Sequence, residues 1–148
     1  MDPTSDPIRV FQTQRSLNFT PQEVFRAFSD PKRLEAWWGP KGFTNSFEIF
    51  EFQENGHWKF SMHAPTGEIY PNQCIFREIE IEKNIVIEHV VQPLFTLSID
   101  LINSQGNTVL LWTQKFEDAG IAQAMSQIVK KANEENLDRL TLNLSENK

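Results

Sequence analysis

Apolar positions first recur in order over residues 9–19, where Val10, Phe11, Leu17 and Phe19 alternate imperfectly with polar neighbours and predict a strand. Thr20-Pro21-Gln22-Glu23 follows as a capping box with proline at the first helical position. A helix is therefore predicted to about Phe28, with Val24, Phe25, Ala27 and Phe28 as its apolar face. Asp30-Pro31 repeats the start signal for a second short helix. It ends at Trp37-Trp38, because Gly39-Pro40 cannot continue it. Both indoles thus sit at a helix exit, where at least one plugs a core or rims a cavity.

From Thr44 the period becomes two. Phe47 and Ile49, then Phe50 and Phe52, predict a strand with a register change, closed by Asn55-Gly56, a type I′ hairpin signal. On the return strand Trp58, Phe60 and Met62 face one way and His57, Lys59, Ser61 and His63 the other. Strands at 69–79, 85–91, 95–102 and 108–116 bring the total to seven. Residues 121–144 contain no Gly or Pro and predict one long helix. Ile121, Met125, Ile128 and Ala132 form its apolar stripe, which Leu137, Leu140 and Leu144 continue rotated by about 100°.

A chain of 148 residues, 39% hydrophobic and without repeats, suits one domain at 8–148 behind a frayed tail at 1–7. The single Cys74 cannot form an intramolecular disulfide, and residues 1–7 lack a secretory pattern, so a cytoplasmic location is expected. The longest apolar run, Val109-Leu110-Leu111-Trp112, is far short of the ~20 residues of a membrane span. A net charge of −6 opposes nucleic-acid binding. Neither membrane nor nucleic acid is expected as a partner. Apolar Phe50 and Ile102, placed on outward strand faces, suit a monomer or a weak homodimer.

Strand parity lets Trp58, Phe60, Met62, Tyr70, Cys74 and Phe76 share a face. Phe95, Leu97, Ile99 and either Leu111 or Trp112 do the same on later strands, opposed by Met125, Ile128 and Ala132. Such walls suit a small-molecule cavity or a packed core alike. His89 and Glu88 point to opposite faces, so they do not form an acid–histidine pair; His89 is an inward hydrogen-bonding group or an ordinary satisfied histidine. His57 and His63 lie about 20 Å apart along one strand, too far to share a metal. Nothing near Cys74 in sequence lowers its pKa, which makes it a small buried hydrophobe rather than a reactive thiol. Nucleotide and nucleophile motifs are missing, so no metal, cofactor or catalytic residue is assigned. Glu48, Glu51, Glu68, Glu78 and Glu88 stay unassigned to a face.

Several blocks together carry a resemblance: Val24-Phe25-Arg26-Ala27-Phe28-Ser29-Asp30-Pro31, Trp37-Trp38-Gly39-Pro40, Asn55-Gly56-His57-Trp58-Lys59-Phe60, Gly67-Glu68-Ile69-Tyr70-Pro71 and Arg77-Glu78-Ile79. In order and spacing the chain resembles the family typified by the C-terminal domain of the heat-shock protein 90 ATPase activator, in the START-like (SRPBCC, birch-pollen-allergen-like) superfamily. The resemblance implies an α+β helix-grip fold: a seven-stranded curved antiparallel sheet around a long C-terminal helix, with two short helices after the first strand. It also implies a small apolar or amphipathic ligand between sheet and helix. The candidate ligand-binding residues are then Trp38, Trp58, Phe60, Met62, Tyr70 and Cys74, together with Phe76, His89, Leu97, Trp112, Met125 and Ile128. A chaperone-associated role in the stress response is the alternative the resemblance implies, and polyketide-cyclase-like chemistry a third. Cys74 occupies a family position that is commonly small, which narrows any cavity there.

Overall fold

The computed structural model describes residues 9–148, so the expected tail at 1–7 lies outside the described residues. The chain runs β1 (Val10–Leu17), α1 (Pro21–Ser29), α2 (Pro31–Trp37), β2 (Thr44–Phe50), β3 (His57–His63) and β4 (Ile69–Glu80). It continues through β5 (Asn84–His89), β6 (Phe95–Ser104), β7 (Asn107–Phe116) and α3 (Ala119–Glu146). The strands form one antiparallel sheet in the order β1-β7-β6-β5-β4-β3-β2, with α1 and α2 carrying the chain from one edge to the other. The sheet curves and α3 crosses its concave side, coming nearest to α1, α2, β1 and β7. This is the helix-grip arrangement.

Local signals place most of these elements. Thr20 Oγ1 accepts the Glu23 amide at 3.1 Å and the Glu23 carboxylate returns to the Thr20 amide, which completes the capping box of α1. Asp30 and Asp118 cap α2 and α3 by accepting the amides of Lys32 and Ile121, each at 3.0 Å. The β6–β7 hairpin closes through Gln105 and Gly106, both with positive φ, as a type I′ turn requires.

Asn55-Gly56 behaves otherwise: only Asn55 is left-handed, so the turn is not type I′. The chain from Glu51 to Gly56 folds instead onto β4, with Asn55 N–H donating to Phe76 O at 2.6 Å and Phe76 N–H to Gly56 O at 3.0 Å. Gly56 is required by close approach, since a Cβ there would lie 2.0 Å from Glu51 O.

The register change in β2 is present between Phe47 and Ile49. It inverts the parity of the strand, so Phe47 and Phe50 share the inner face and stack 5.6 Å apart. Phe50 therefore packs against the core, contrary to its expected outward position, whereas Ile102 is exposed.

The α3 stripe needs correction. The helix buries Ala122, Val129, Asn136 and Asn143, a seven-residue repeat that drifts by only about 20° per step, with Leu137, Leu140 and Leu144 beside it. The face does not rotate along the helix. Ile121 and Met125 flank it, and Ile128 projects to solvent at 68% exposure.

Two apolar clusters result. The larger joins α1, α2, the C-terminal half of α3 and most strands around Trp37, Trp58, Phe28 and Phe76. The smaller joins Phe11 and Phe116 to Ala122 and Val129 at the other end of α3.

Candidate functional site

Between the two clusters lies a cavity of about 140 Å³ under the middle of α3. Large apolar side chains are missing from the helix at that point: the residues facing the cavity are Ala132, Asn133 and Asn136. The opposite wall comes from the inner faces of β3 to β7, and one end is closed by the α2 exit, Trp38-Gly39-Pro40.

The tryptophan pair divides its tasks. Trp37 is buried, donates Nε1–H to Ala27 O at 3.0 Å and meets Phe28 edge to face, so it plugs the core. Trp38 turns the other way, onto Trp58 at 5.1 Å and Trp112 at 5.7 Å, and walls the cavity. Its loop is stapled to α3 by residues one turn apart. Asn136 Oδ1 accepts the Gly39 amide at 2.6 Å. Arg139 Nη1 donates to the carbonyls of Trp38, Gly39 and Pro40 at 2.9 to 3.1 Å, and Nη2 to that of Ala36 at 3.0 Å. A cation thereby answers the unpaired carbonyls at the end of α2.

Seven of the twelve candidate residues line this space: Trp38, Phe60, Met62, Cys74, His89, Leu97 and Trp112. Five do not. Trp58 and Phe76 are core residues, their rings parallel and 5.7 Å apart, with Trp58 also stacked on Phe60 at 4.3 Å. Tyr70 pairs with Met62 in register but lies at the strand end, half exposed against Phe43. Met125 packs on the smaller cluster, and Ile128 stands in solvent because it falls off the buried helix face.

Sequence reasoning missed the polar wall. Asn72 faces Phe60 in register and Gln114 faces Leu97, so parity from Cys74 and Trp112 would have turned both inward. The seven-residue repeat through Ala122 and Val129 would have found Asn136. Ile87 also follows from parity, and Phe95, already expected on the inward face, lines the space.

His89 is buried and stacks on Phe95 at 4.5 Å with the rings nearly parallel. Its Nδ1 lies 2.7 Å from Pro93 O and its Nε2 2.7 Å from Asn72 Oδ1, while Asn72 Nδ2 donates to Tyr70 O. Burial lowers its pKa from the ordinary value, opposed by hydrogen bonds to the backbone at Pro93 and Val91. Both ring nitrogens face protein oxygens, of which the neutral ring donates to one, and these contacts tie the β5–β6 connection to β4. Burial pushes the Cys74 thiol up to about 12, which keeps it neutral and unreactive. No carboxylate lines the cavity among the described residues. Of the five unassigned acids, Glu48 pairs with Lys59, Glu88 with Arg77, and Glu51 accepts the His57 amide, all at the surface. No group of three or more His, Cys, Asp or Glu among the described residues is placed to hold a metal, and no helix there is long and apolar enough to cross a membrane.

Solved structures share this fold. A protein from Nitrosomonas europaea superposes with TM-score 0.85 at 20% identity over 97% of this chain and 100% of its own. One from Arthrobacter aurescens gives 0.85 at 22% over 93% and 86%. The AHSA1-like protein from Aeromonas hydrophila gives 0.71 at 14% over 92% of each. At these identities the likeness establishes the fold alone. No curated protein matches the chain. The family described as Activator of Hsp90 ATPase homolog 1-like protein matches residues 18–145, nearly the whole of the described chain. By that match and by its helix-grip architecture, the chain belongs to the Activator of Hsp90 ATPase homolog 1-like family of START-like proteins.

Proposed function

We propose that this protein binds a small apolar or amphipathic molecule in the cavity between the sheet and α3. The observation that carries the reading is the interruption of the core where α3 passes from one apolar cluster to the other, leaving about 140 Å³ unfilled. Folding favours close packing, and an unfilled space of this size forgoes dispersion contacts that larger side chains at Ala132 or Asn133 would supply. An apolar cavity of about 150 Å³ accepts benzene, so the ligand, or the part of it that enters, is on the scale of one ring.

The test is a titration with uncharged aromatic compounds of increasing size, followed by the fluorescence of Trp38 and Trp112, which both line the space. Single-ring compounds should bind, two-ring compounds more weakly, and Ala132→Leu, which fills the cavity, should lose binding at unchanged stability. Flat titrations across the whole series would reject a binding role. A second reading rests on the family description: association with a chaperone of the Hsp90 type. It is supported if the protein changes that chaperone's ATP turnover and Ala132→Leu does so equally, since a surface contact is independent of the cavity.

A further inference from the structure

The polar groups of the cavity wall are unevenly matched. Asn72 Nδ2 donates to Tyr70 O, while the two ring nitrogens of His89 face two acceptors, Pro93 O and Asn72 Oδ1, of which a neutral ring donates to one. On the opposite side, Asn136 uses Oδ1 for the Gly39 amide and Gln114 uses Oε1 for Asn133 Nδ2 at 3.2 Å. That leaves Asn136 Nδ2 and Gln114 Nε2 without a partner among the described residues, although Asn136 is only 5% and Gln114 9% exposed. The orientation of Asn136 is fixed, because a main-chain N–H must meet its oxygen and not its NH₂. Both nitrogens keep some accessible surface, so an oxygen acceptor on a guest can reach them, whereas Trp112 Nε1 on the same wall is fully buried with no partner among the described residues.

Every residue lining the cavity is uncharged, given a neutral His89. Arg139, the guanidinium beside the Gly39 wall, has both Nη atoms committed to four carbonyls and is already compensated by their dipoles. An anion entering here would lose its hydration with no counter-charge in contact. The remaining walls include the rings of Trp38, Phe60, Phe95 and Trp112, which favour an aromatic guest in offset or edge-to-face contact.

We infer that the cavity selects an uncharged, single-ring aromatic compound bearing one carbonyl or comparable oxygen acceptor, with Asn136 and Gln114 as the residues that read the oxygen. The inference rests on the binding role proposed above and narrows it to a chemical class. It excludes carboxylates, fatty acids among them, as the favoured ligand.

Three ring compounds of nearly equal shape separate the possibilities by ¹⁹F NMR titration of the intact protein: 4-fluoroacetophenone, 4-fluorocumene, which replaces the carbonyl oxygen by a methyl, and 4-fluorobenzoate. The ketone should bind at least tenfold more tightly than either of the others. Asn136→Asp keeps an oxygen for the Gly39 amide and removes the donor; Gln114→Met removes the other donor at similar volume. Each should reduce the ketone's advantage over 4-fluorocumene by about tenfold while leaving 4-fluorocumene affinity within a factor of three. If Asn136→Asp fails to fold, Gln114→Met decides alone. Equal binding of ketone and hydrocarbon, or preference for the benzoate, overturns the class assignment and leaves the binding role standing. Absence of binding by all three overturns both.

Discussion

The two ends of α3 rest on different kinds of packing. At the C-terminal end Leu137, Leu140 and Leu144 close over Trp37, Trp58, Phe28 and Phe76, whose rings are joined into one series through Trp38. At the N-terminal end Ala122 and Val129 cover only Phe11 and Phe116, with Phe95, Ile121 and Met125 at the margin. The dense end fixes the position of the helix. The lean end lets it span the sheet without filling the space beneath, and the cavity opens at the seam. A long helix can therefore be both a clamp and a roof when its apolar density is unequal along its length.

Substitutions at the two ends should differ in size. Trp58→Ala, in the dense end, should cost about 3 to 5 kcal/mol in urea denaturation, whereas Val129→Ala at the lean end should cost about 1.5 to 3 kcal/mol. Equal costs would remove the distinction between the ends. Arg139→Met retains much of the side-chain volume but abandons four carbonyls, and should cost about 2 kcal/mol. Because those carbonyls belong to the Trp38 loop, it should also weaken ligand binding, which Trp58→Phe should not. A stability loss with binding intact would show that the staple does not position Trp38.

The pH response is smaller. His89 resists protonation when folded, while the unfolded chain takes up the proton near the ordinary value of 6.5. Stability from this residue is therefore full above that value and is lost as the pH falls below it, at no more than about 1.4 kcal/mol per pH unit. His89→Phe keeps a ring on Phe95 and should flatten the acid side of the melting curve; an unchanged slope would place the loss elsewhere. Smallest of all, Ile128→Ser should change stability by less than about 0.5 kcal/mol, since the side chain packs on neither cluster.

What could be read from the residues follows the range over which each signal acts. The caps at Thr20 and Asp30 and the parity of β3 depend on a few neighbours, and they placed the helices and strands. The β2 bulge was visible because the alternation through Phe47 and Ile49 is out of phase with that through Phe50 and Phe52, yet its consequence, an inward Phe50, depends on pairing with β3. The α3 face was misplaced because its buried repeat is Ala, Val, Asn, Asn, while the more hydrophobic Ile121, Met125 and Ile128 lie beside it. Polar residues in that repeat make sense only once Gly39 and Arg33 arrive: Asn136 accepts the Gly39 amide and Asn143 accepts Arg33 Nε at 3.1 Å. Asn72 and Gln114 were passed over for the same reason, since amides inside strands read as solvent-facing until a cavity gives them an inward place.

The central claim is that the space at the seam is empty of protein and open to a guest, and xenon tests it without assuming any ligand chemistry. A crystal pressurised with xenon should show an atom between Trp38, Leu97, Trp112 and Ala132 in the wild-type protein, and none in Ala132→Leu. Continuous side-chain density across that site, with no xenon at any pressure, would contradict it.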